Sequence, residues 1–115
     1  MTIKISVASK DFKTHYNLPV GKTLFGFESF RLTLWGADIM TEIGLKWLPT
    51  LRTSDVILQG DELDSLEREA KTVLLHAREI SEKTGAWEDI VEDYANNLLE
   101  AIQLARQVDG QIWIG

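Results

Sequence analysis

Hydrophobic and polar residues alternate along two stretches near the start of the chain, and a period of two predicts half-buried β-strands. The first stretch is Thr2–Ala8 and the second is Thr23–Trp35, in which Gly26 indicates a bulge or a break between two strands. The residues between them, Lys10–Gly21, have no period and predict a loop. Trp35 and Trp113 each lie opposite the apolar residues of their stretch, so we expect at least one of them to be exposed, or both faces of the sheet to be covered.

The middle of the chain predicts a short helix followed by a strand. Apolar residues recur every four positions over Ala37–Leu48, and Pro49 is expected to end this helix. Gly44 lies inside it, where glycine costs about 1 kcal/mol relative to alanine. Ser54–Gln59 is a short apolar run bounded by polar residues, which is typical of a strand.

The second half of the chain predicts two long amphipathic helices. The first begins after Asp61, whose carboxylate is expected to cap free backbone N–H groups, and it ends at Gly85. The second covers Trp87–Val108 and is followed by a terminal strand, Gln111–Ile114. Each helix has one apolar stripe, which needs the face of a sheet to cover it.

These elements predict an α+β fold in a single domain, residues 1–115. We expect one mostly antiparallel sheet, with the two long C-terminal helices packed on one face and a short C-terminal strand. The composition agrees, since 44% hydrophobic and 26% charged residues are ordinary for a globular domain. Because there is no cysteine, disulfides, thiolate metal sites and a cysteine nucleophile are excluded. No signal peptide and no apolar run of about 20 residues is recognisable, so a cytoplasmic location is expected.

The charge is distributed unevenly along the chain. Residues 1–60 carry seven Lys or Arg against five Asp or Glu, whereas residues 61–115 carry five against thirteen, which together give the net charge of −6. Nucleic acids and anionic membranes are bound by clustered cations. The second half has the opposite sign, so we expect neither of these partners, and expect instead another protein that is basic.

Fragments that resemble catalytic or cofactor motifs are incomplete. Gly21, Lys22 and Thr23 match the end of a phosphate-binding loop, but Tyr16 occupies the position of its first glycine. His76 and Glu79 are one helical turn apart, yet a zinc site needs three or four protein ligands. We therefore expect no cofactor, no metal site and no enzymatic activity. His15, or His76 with Glu79, would supply the acid–base groups if the protein were an enzyme.

Acidic residues cluster at the start of each long helix. The first cluster contains Asp61, Glu62, Asp64, Glu67 and Glu69, and the second contains Glu88, Asp89, Glu92 and Asp93. Each has two interpretations: a solvated helix start that the helix dipole favours, or an acidic face that attracts a basic protein. For the partner-binding face we select the second cluster together with Trp87.

Two further features leave alternatives open. Asn96 and Asn97 interrupt the last helix, where one amide is expected to bind a loop or the edge of the sheet while the other faces water. Trp35 and Trp113 lie opposite apolar neighbours, so a homodimer that buries them, or one that pairs the terminal strands, is the alternative to a foreign partner. In that case the protein would have a structural or regulatory role.

Three segments of the chain carry a family resemblance: IGLKWLPTL, SDVILQGDELDSLEREAKTVLL and NNLLEAIQLARQVDGQIWIG. Over roughly residues 37–115 the chain resembles small bacterial α+β proteins of the immunity type, which are the antidotes to polymorphic toxins. The resemblance implies a cytoplasmic, non-enzymatic protein that binds one toxin domain and blocks its active site. Immunity proteins against nucleases are often acidic because the nuclease is basic. No functional residue is carried over from the family.

Overall fold

Five strands form an antiparallel sheet in the computed structural model, which describes residues 2–115. They are β1 (Thr2–Ala8), β2 (His15–Tyr16), β3 (Leu24–Phe27), β4 (Val56–Gln59) and β5 (Gln111–Ile114). Along the sheet the order is β2, β1, β5 and β4, and β3 pairs with the first residues of β1. The first and last strands are therefore central neighbours, with Ile5 opposite Ile114 and Val7 opposite Ile112.

One face of this sheet is covered by helices. The helices are α1 (Asp38–Glu42), α2 (Glu62–Leu75), α3 (Ala77–Thr84) and α4 (Glu88–Gln107), with a π-helical turn at Arg31–Trp35 and a 3₁₀ helix at Leu48–Arg52. Alternation in β1 directs Ile3, Ile5 and Val7 into the core and leaves Lys4 and Ser6 exposed on the other face. The α+β architecture with a mostly antiparallel sheet, C-terminal helices on one face and a C-terminal strand is confirmed.

The predicted second strand is wrong beyond Phe27. The chain leaves the sheet there and forms the π-helical turn at Arg31–Trp35. Because successive side chains in a helical turn do not alternate between two faces, Leu34 and Trp35 are both buried. The Trp35 ring stacks on Phe25 at 4.1 Å between centroids, and its Nε1–H donates to the Phe25 carbonyl at 3.0 Å. Trp35 thus belongs to the core, and of the two tryptophans of which at least one was expected to be exposed, it is Trp113 that is, at 41%.

Helix boundaries also differ from the sequence prediction. The long helix expected after Asp61 is divided at His76 into α2 and α3, although Gly85 ends α3 in the left-handed conformation as expected, with φ 81°. Asp61 makes no side-chain capping bond, and Glu62 instead accepts the Gln59 N–H at 3.2 Å. The first helix is also shorter than predicted. It ends at Glu42, since Gly44 has φ 96°, and the chain resumes as the 3₁₀ helix that contains Pro49.

Candidate functional site

Trp87 lies at the start of α4 and is strongly exposed. Gly85 ends α3 in a left-handed conformation, and Trp87 then adopts an extended backbone with φ −66° and ψ 138° as the residue that precedes α4. Its side chain is 75% exposed, and within residues 2–115 it makes neither a hydrogen bond nor an aromatic contact. The loop therefore presents a large apolar ring to solvent, and no residue of 2–115 bonds to it or stacks on it.

Four carboxylates follow Trp87 in the first two turns of α4: Glu88, Asp89, Glu92 and Asp93. Within the described part of the chain none of them has a Lys, Arg or His nitrogen at ion-pair distance. Their position is compatible with the helix, because the dipole at a helix N-terminus favours anions. The charge at this end of α4 is nevertheless left without a counter-charge.

An apolar cleft of about 290 Å³ opens beside Trp87. We call it the Trp87 cleft, and its lining includes Phe30, Gly85, Trp87 and Ile90. Phe30 comes from the segment before the π-helical turn and is held by edge contacts to Phe27, at 5.6 Å between ring centroids, and to Tyr94, at 6.4 Å. The cleft therefore has a wall that is fixed by ring packing on one side and the exposed Trp87 on the other.

A second cleft of about 540 Å³ continues along the same helix. We call it the Asn97 cleft; its lining includes Leu24, Ile90, Asp93, Tyr94 and Asn97. Ile90 lines both clefts, so they form one surface, the α4 groove, along the residues that recur every three or four positions on this side of the helix. The Trp87 cleft has no charged residue in its lining, whereas the Asn97 cleft is lined by the charged residues Lys22 and Asp93 as well as by apolar side chains.

Asn97 anchors the loop before β3 to α4. It is only 6% exposed, and its Nδ2 donates to the Leu24 carbonyl at 2.9 Å and to the Gly21 carbonyl at 3.3 Å. Two carbonyl acceptors define which end of the amide is the nitrogen. Its neighbour Asn96 is exposed, so the prediction of one anchoring amide and one solvated amide is confirmed.

The oxygen of Asn97 and the hydroxyl of Tyr94 remain without a hydrogen-bond donor or acceptor from residues 2–115. Since no fully buried polar side-chain atom in this part of the chain lacks a partner, both atoms reach solvent, and the cleft that they line is that solvent space. Burial, followed by the nearby Asp93 carboxylate, raises the pKa of Tyr94 above its usual value of 10.0. The hydroxyl is therefore protonated and neutral at physiological pH.

Three of the five carboxylates in the first acidic cluster are engaged within the fold. Glu69 is buried, and its two oxygens accept the backbone N–H groups of Lys46, Trp47 and Leu48 at 2.8–3.1 Å. Asp64 and Glu67 lie near the Arg106 guanidinium, at 2.6 and 3.0 Å. These residues therefore stabilise the contact between elements and are not a free surface.

The fragments that resemble catalytic motifs are not brought together into a site. His76 Nδ1 lies 3.4 Å from Glu79 Oε1, and His15 is exposed on β2. In residues 2–115 no three His, Asp or Glu side chains are grouped as metal ligands would be. The residues after Thr23 form β3, not the helix that a phosphate-binding loop requires, and Lys22 is paired with Glu100 at 3.6 Å.

The surfaces predicted for a homodimer are mostly used inside the chain. β1 and β5 pair with each other at the centre of the sheet, so their edges are already occupied within the chain. Trp113 is 41% exposed, but its Nε1–H donates to Asp55 Oδ2 at 2.9 Å and Phe12 contacts its ring at 5.9 Å between centroids. Of the predicted interface tryptophans, Trp87 alone combines high exposure with no contact of this kind in the described residues.

Sequence reasoning identified Trp87 and the four carboxylates but missed the groove beside them. Ile90, Tyr94 and Asn97 follow Trp87 at helical spacing, so this half of the groove was recognisable as one face of the helix. Phe30 was not recognisable, because its segment was predicted to be a strand. No helix within residues 2–115 has the length and apolar character needed to cross a membrane. Comparisons with models of known families, with curated proteins and with solved structures give no match.

Proposed function

We propose that the protein is a cytoplasmic, non-enzymatic module that binds a basic protein through the α4 groove and the carboxylates beside it. The observation that carries this proposal is the exposed Trp87 ring, which has no partner in the described chain and lies next to unpaired negative charge. Tryptophan is enriched among the residues that dominate the energy of protein interfaces.

Apolar exposure around the groove supports a protein partner. Leu24 lines the groove, Phe27 contacts the Phe30 wall, and both are exposed, as is Val20 at the far end of the Asn97 cleft. Neighbouring exposed apolar side chains with a polar rim are typical of interaction sites on soluble proteins. Their burial by a partner would add hydrophobic stabilisation of about 25 cal/mol for each Å² removed from water.

The uncompensated carboxylates at the start of α4 support a basic partner. Charges at the rim of an interface accelerate association with a complementary surface, and the effect weakens with salt because ions screen it over about 10 Å at 0.1 M. An acidic face with an apolar groove is suited to an inhibitor that covers the cationic substrate-binding surface of another protein. We propose an immunity-type role, in which the target is a basic toxin domain such as a nuclease.

The first test captures the partner and then measures its association rate. The tagged protein is used as bait in its own cell lysate at low salt, and bound proteins are eluted with rising salt. We expect one stoichiometric basic protein, released by salt. The double substitution Asp89→Lys with Asp93→Lys should then slow association about tenfold or more at low salt, because steering is lost.

The matched control is Asp38→Lys with Glu42→Lys. These residues are also exposed, four positions apart and without an ion pair in residues 2–115, but they lie on α1. Both double variants change the net charge equally, so the control should leave the rate within about twofold. Equal slowing by both pairs would show that net charge alone matters, and the acidic face of α4 would lose its assigned role.

A homo-oligomer of structural or regulatory role is the second candidate. It is favoured by the exposure of Ile57 and Trp113 on the open face of the sheet. If the lysate yields only the bait, sedimentation of the purified protein shows whether it forms an oligomer. A dimer that Ile57→Glu converts to a monomer, while Trp87→Ala leaves it intact, would replace the proposal of a foreign partner by self-association.

A further inference from the structure

The two clefts of the α4 groove differ in chemistry and are joined at Ile90. The Trp87 cleft is bounded mainly by apolar residues, including Phe30, Trp87 and Ile90, with Thr33 and Thr84 as its polar lining residues. At about 290 Å³ it is large enough for one side chain of the partner but too small for a helix, which is about 10 Å wide. An apolar side chain, aromatic or long aliphatic, is the complement of this cleft.

The Asn97 cleft presents acceptors for hydrogen bonds. It contains the unpaired Asp93 carboxylate together with the Asn97 oxygen, and the Asn97 residue is buried while this oxygen has no donor in residues 2–115. The Tyr94 hydroxyl lies in the same cleft. Lys22 also lines it, but the ammonium group is paired with Glu100. A cation with several N–H donors is therefore the complement of the second cleft.

Arginine satisfies this set of acceptors better than lysine. Its planar guanidinium has five N–H donors, so it can bind a carboxylate and neutral oxygens at the same time, whereas the lysine ammonium is a compact and strongly hydrated charge. The Asn97 oxygen, which reaches solvent, is an acceptor of fixed position, since its amide nitrogen is held by the carbonyls of Gly21 and Leu24. A fixed acceptor beside a free carboxylate favours a forked donor.

The spacing of the clefts gives the spacing of the two side chains. Trp87 lines only the first cleft and Asp93 only the second, and these residues are six positions apart, or about 9 Å at the helical rise; because Ile90 lines both clefts, their occupants lie closer together than this. Alternate side chains of an extended chain point to the same side and are about 7 Å apart. In a helical ligand, side chains on one face are only about 5–6 Å apart.

We propose that the α4 groove recognises an extended segment of the partner in which an apolar residue and an arginine are separated by one residue. This inference rests on the proposed function. The apolar side chain occupies the Trp87 cleft and the arginine occupies the Asn97 cleft.

The test uses short capped peptides and the full isotope-labelled chain, observed by nuclear magnetic resonance. The probe is Gly-Gly-Phe-Gly-Arg-Gly-Gly, acetylated and amidated. Its controls replace Arg by Glu, replace Phe by Ala, or place Arg directly after Phe or four residues after it. We expect saturable shifts of the Trp87 indole N–H and the Asn97 side-chain amide with the probe. Each control should bind at least about fivefold more weakly, the equivalent of losing one exposed charge pair.

Variants of the protein separate the two clefts. Asp93→Asn should weaken the arginine probe about fivefold without weakening the glutamate control, while Asp38→Asn, on α1 and outside the groove, should have little effect on either. Both residues are exposed, so neither change disturbs the core. Binding that is equal for all spacings, or strongest for the four-residue spacing of a helix, would overturn this inference, as would shifts confined to residues outside the groove.

A failure of this inference can be distinguished from a failure of the proposed function. If none of the peptides shifts Trp87 or Asn97 while a captured partner still binds in a salt-sensitive way, the inferred recognition element is wrong and the protein-binding function stands. If the probe binds with the expected spacing and no partner is captured, the groove has the inferred preference and the proposed function fails.

Discussion

The two acidic clusters of this protein have similar sequences and opposite surroundings. Three carboxylates of the cluster on α2 are bound by other parts of the fold: Glu69 accepts backbone N–H groups, and Asp64 and Glu67 contact Arg106. The cluster at the start of α4 has no such partner in residues 2–115. Carboxylates at helix starts are therefore not equivalent, and what lies opposite them decides whether they stabilise the fold or remain free for another molecule.

The difference between the two clusters follows from what packs against each end of α4. Arg106 lies near the end of α4, where a cation also interacts favourably with the helix dipole, and this end of α4 packs beside α2. The start of α4 adjoins the loop after α3, where the neighbouring Trp87 cleft is mostly apolar. One helix thus has a charge-paired end and an unpaired end.

The largest effect is expected at Glu69. Glu69→Gln replaces one acceptor oxygen by a donor, and backbone N–H groups from Lys46–Leu48 lose their acceptor. We expect a loss of about 3 kcal/mol in the free energy of unfolding, because unpaired buried donors are costly. Urea unfolding measures it. The control is Asp61→Asn, at an exposed residue without a side-chain bond, and equal midpoints for both variants would contradict the structural role of Glu69.

Removal of the Trp87 ring tests whether the surface at the start of α4 binds a partner. Trp87→Ala should weaken partner binding by about 2 kcal/mol, or roughly 30-fold, as expected for an interface hot spot. The free energy of unfolding should change by less than about 0.5 kcal/mol, since the side chain lies at the surface. Leu75→Ala is the control because Leu75 is 82% exposed and lies outside the groove. Equal loss of binding in both variants would remove Trp87 from the interface.

Asp55 is a carboxylate outside both clusters, and it is bonded to Trp113 on strand β5 of the sheet. The Trp113 indole N–H, and then Arg31, lower the pKa of Asp55 below its usual 3.8. Trp113→Phe keeps an aromatic ring but removes the N–H, so the pKa of Asp55 should rise, which a carboxyl titration by nuclear magnetic resonance detects. The ionised Asp55 carboxylate stabilises the fold above pH 3.8, and this stabilisation is lost as the pH falls through the lowered pKa. Because Asp55 is exposed, its contribution to the free energy of unfolding is at most about 1 kcal/mol. An unchanged titration of Asp55 would contradict the assignment.

The smallest effect is expected at Arg106. Its hydrogen bonds lower the pKa of Glu67 from the usual 4.5, so the pair stabilises the fold above that pH and loses its effect as the pH falls through the lowered value. Arg106→Gln should reduce the free energy of unfolding at neutral pH by less than about 1 kcal/mol, because the pair is exposed. The difference from the native chain should vanish in acid. Lys83→Gln, at an exposed lysine without an ion pair in residues 2–115, should show no such pH dependence.

Periodic patterns predicted most of the fold because strands and helices depend on nearby residues. Alternation identified β1 with its bounds, and the apolar stripe after Trp87 identified α4, with its end placed within one residue. The same reasoning failed at Trp35, since it assumed that an alternating stretch stays in the sheet. It also missed the division at His76, because the apolar stripe continues through that residue from α2 into α3.

By itself, the sequence determined the α+β class, the positions of the main elements and an acidic start on each long helix, with Trp87 directly before the second. These properties follow from local spacing and composition. Only the tertiary structure decided which carboxylates are paired, since Arg106 and Asp64 are 42 residues apart in the chain, and that Phe30 closes a cleft against Trp87. Contacts between distant residues depend on how the elements pack, and no local pattern in the chain encodes which side chains will lie opposite each other.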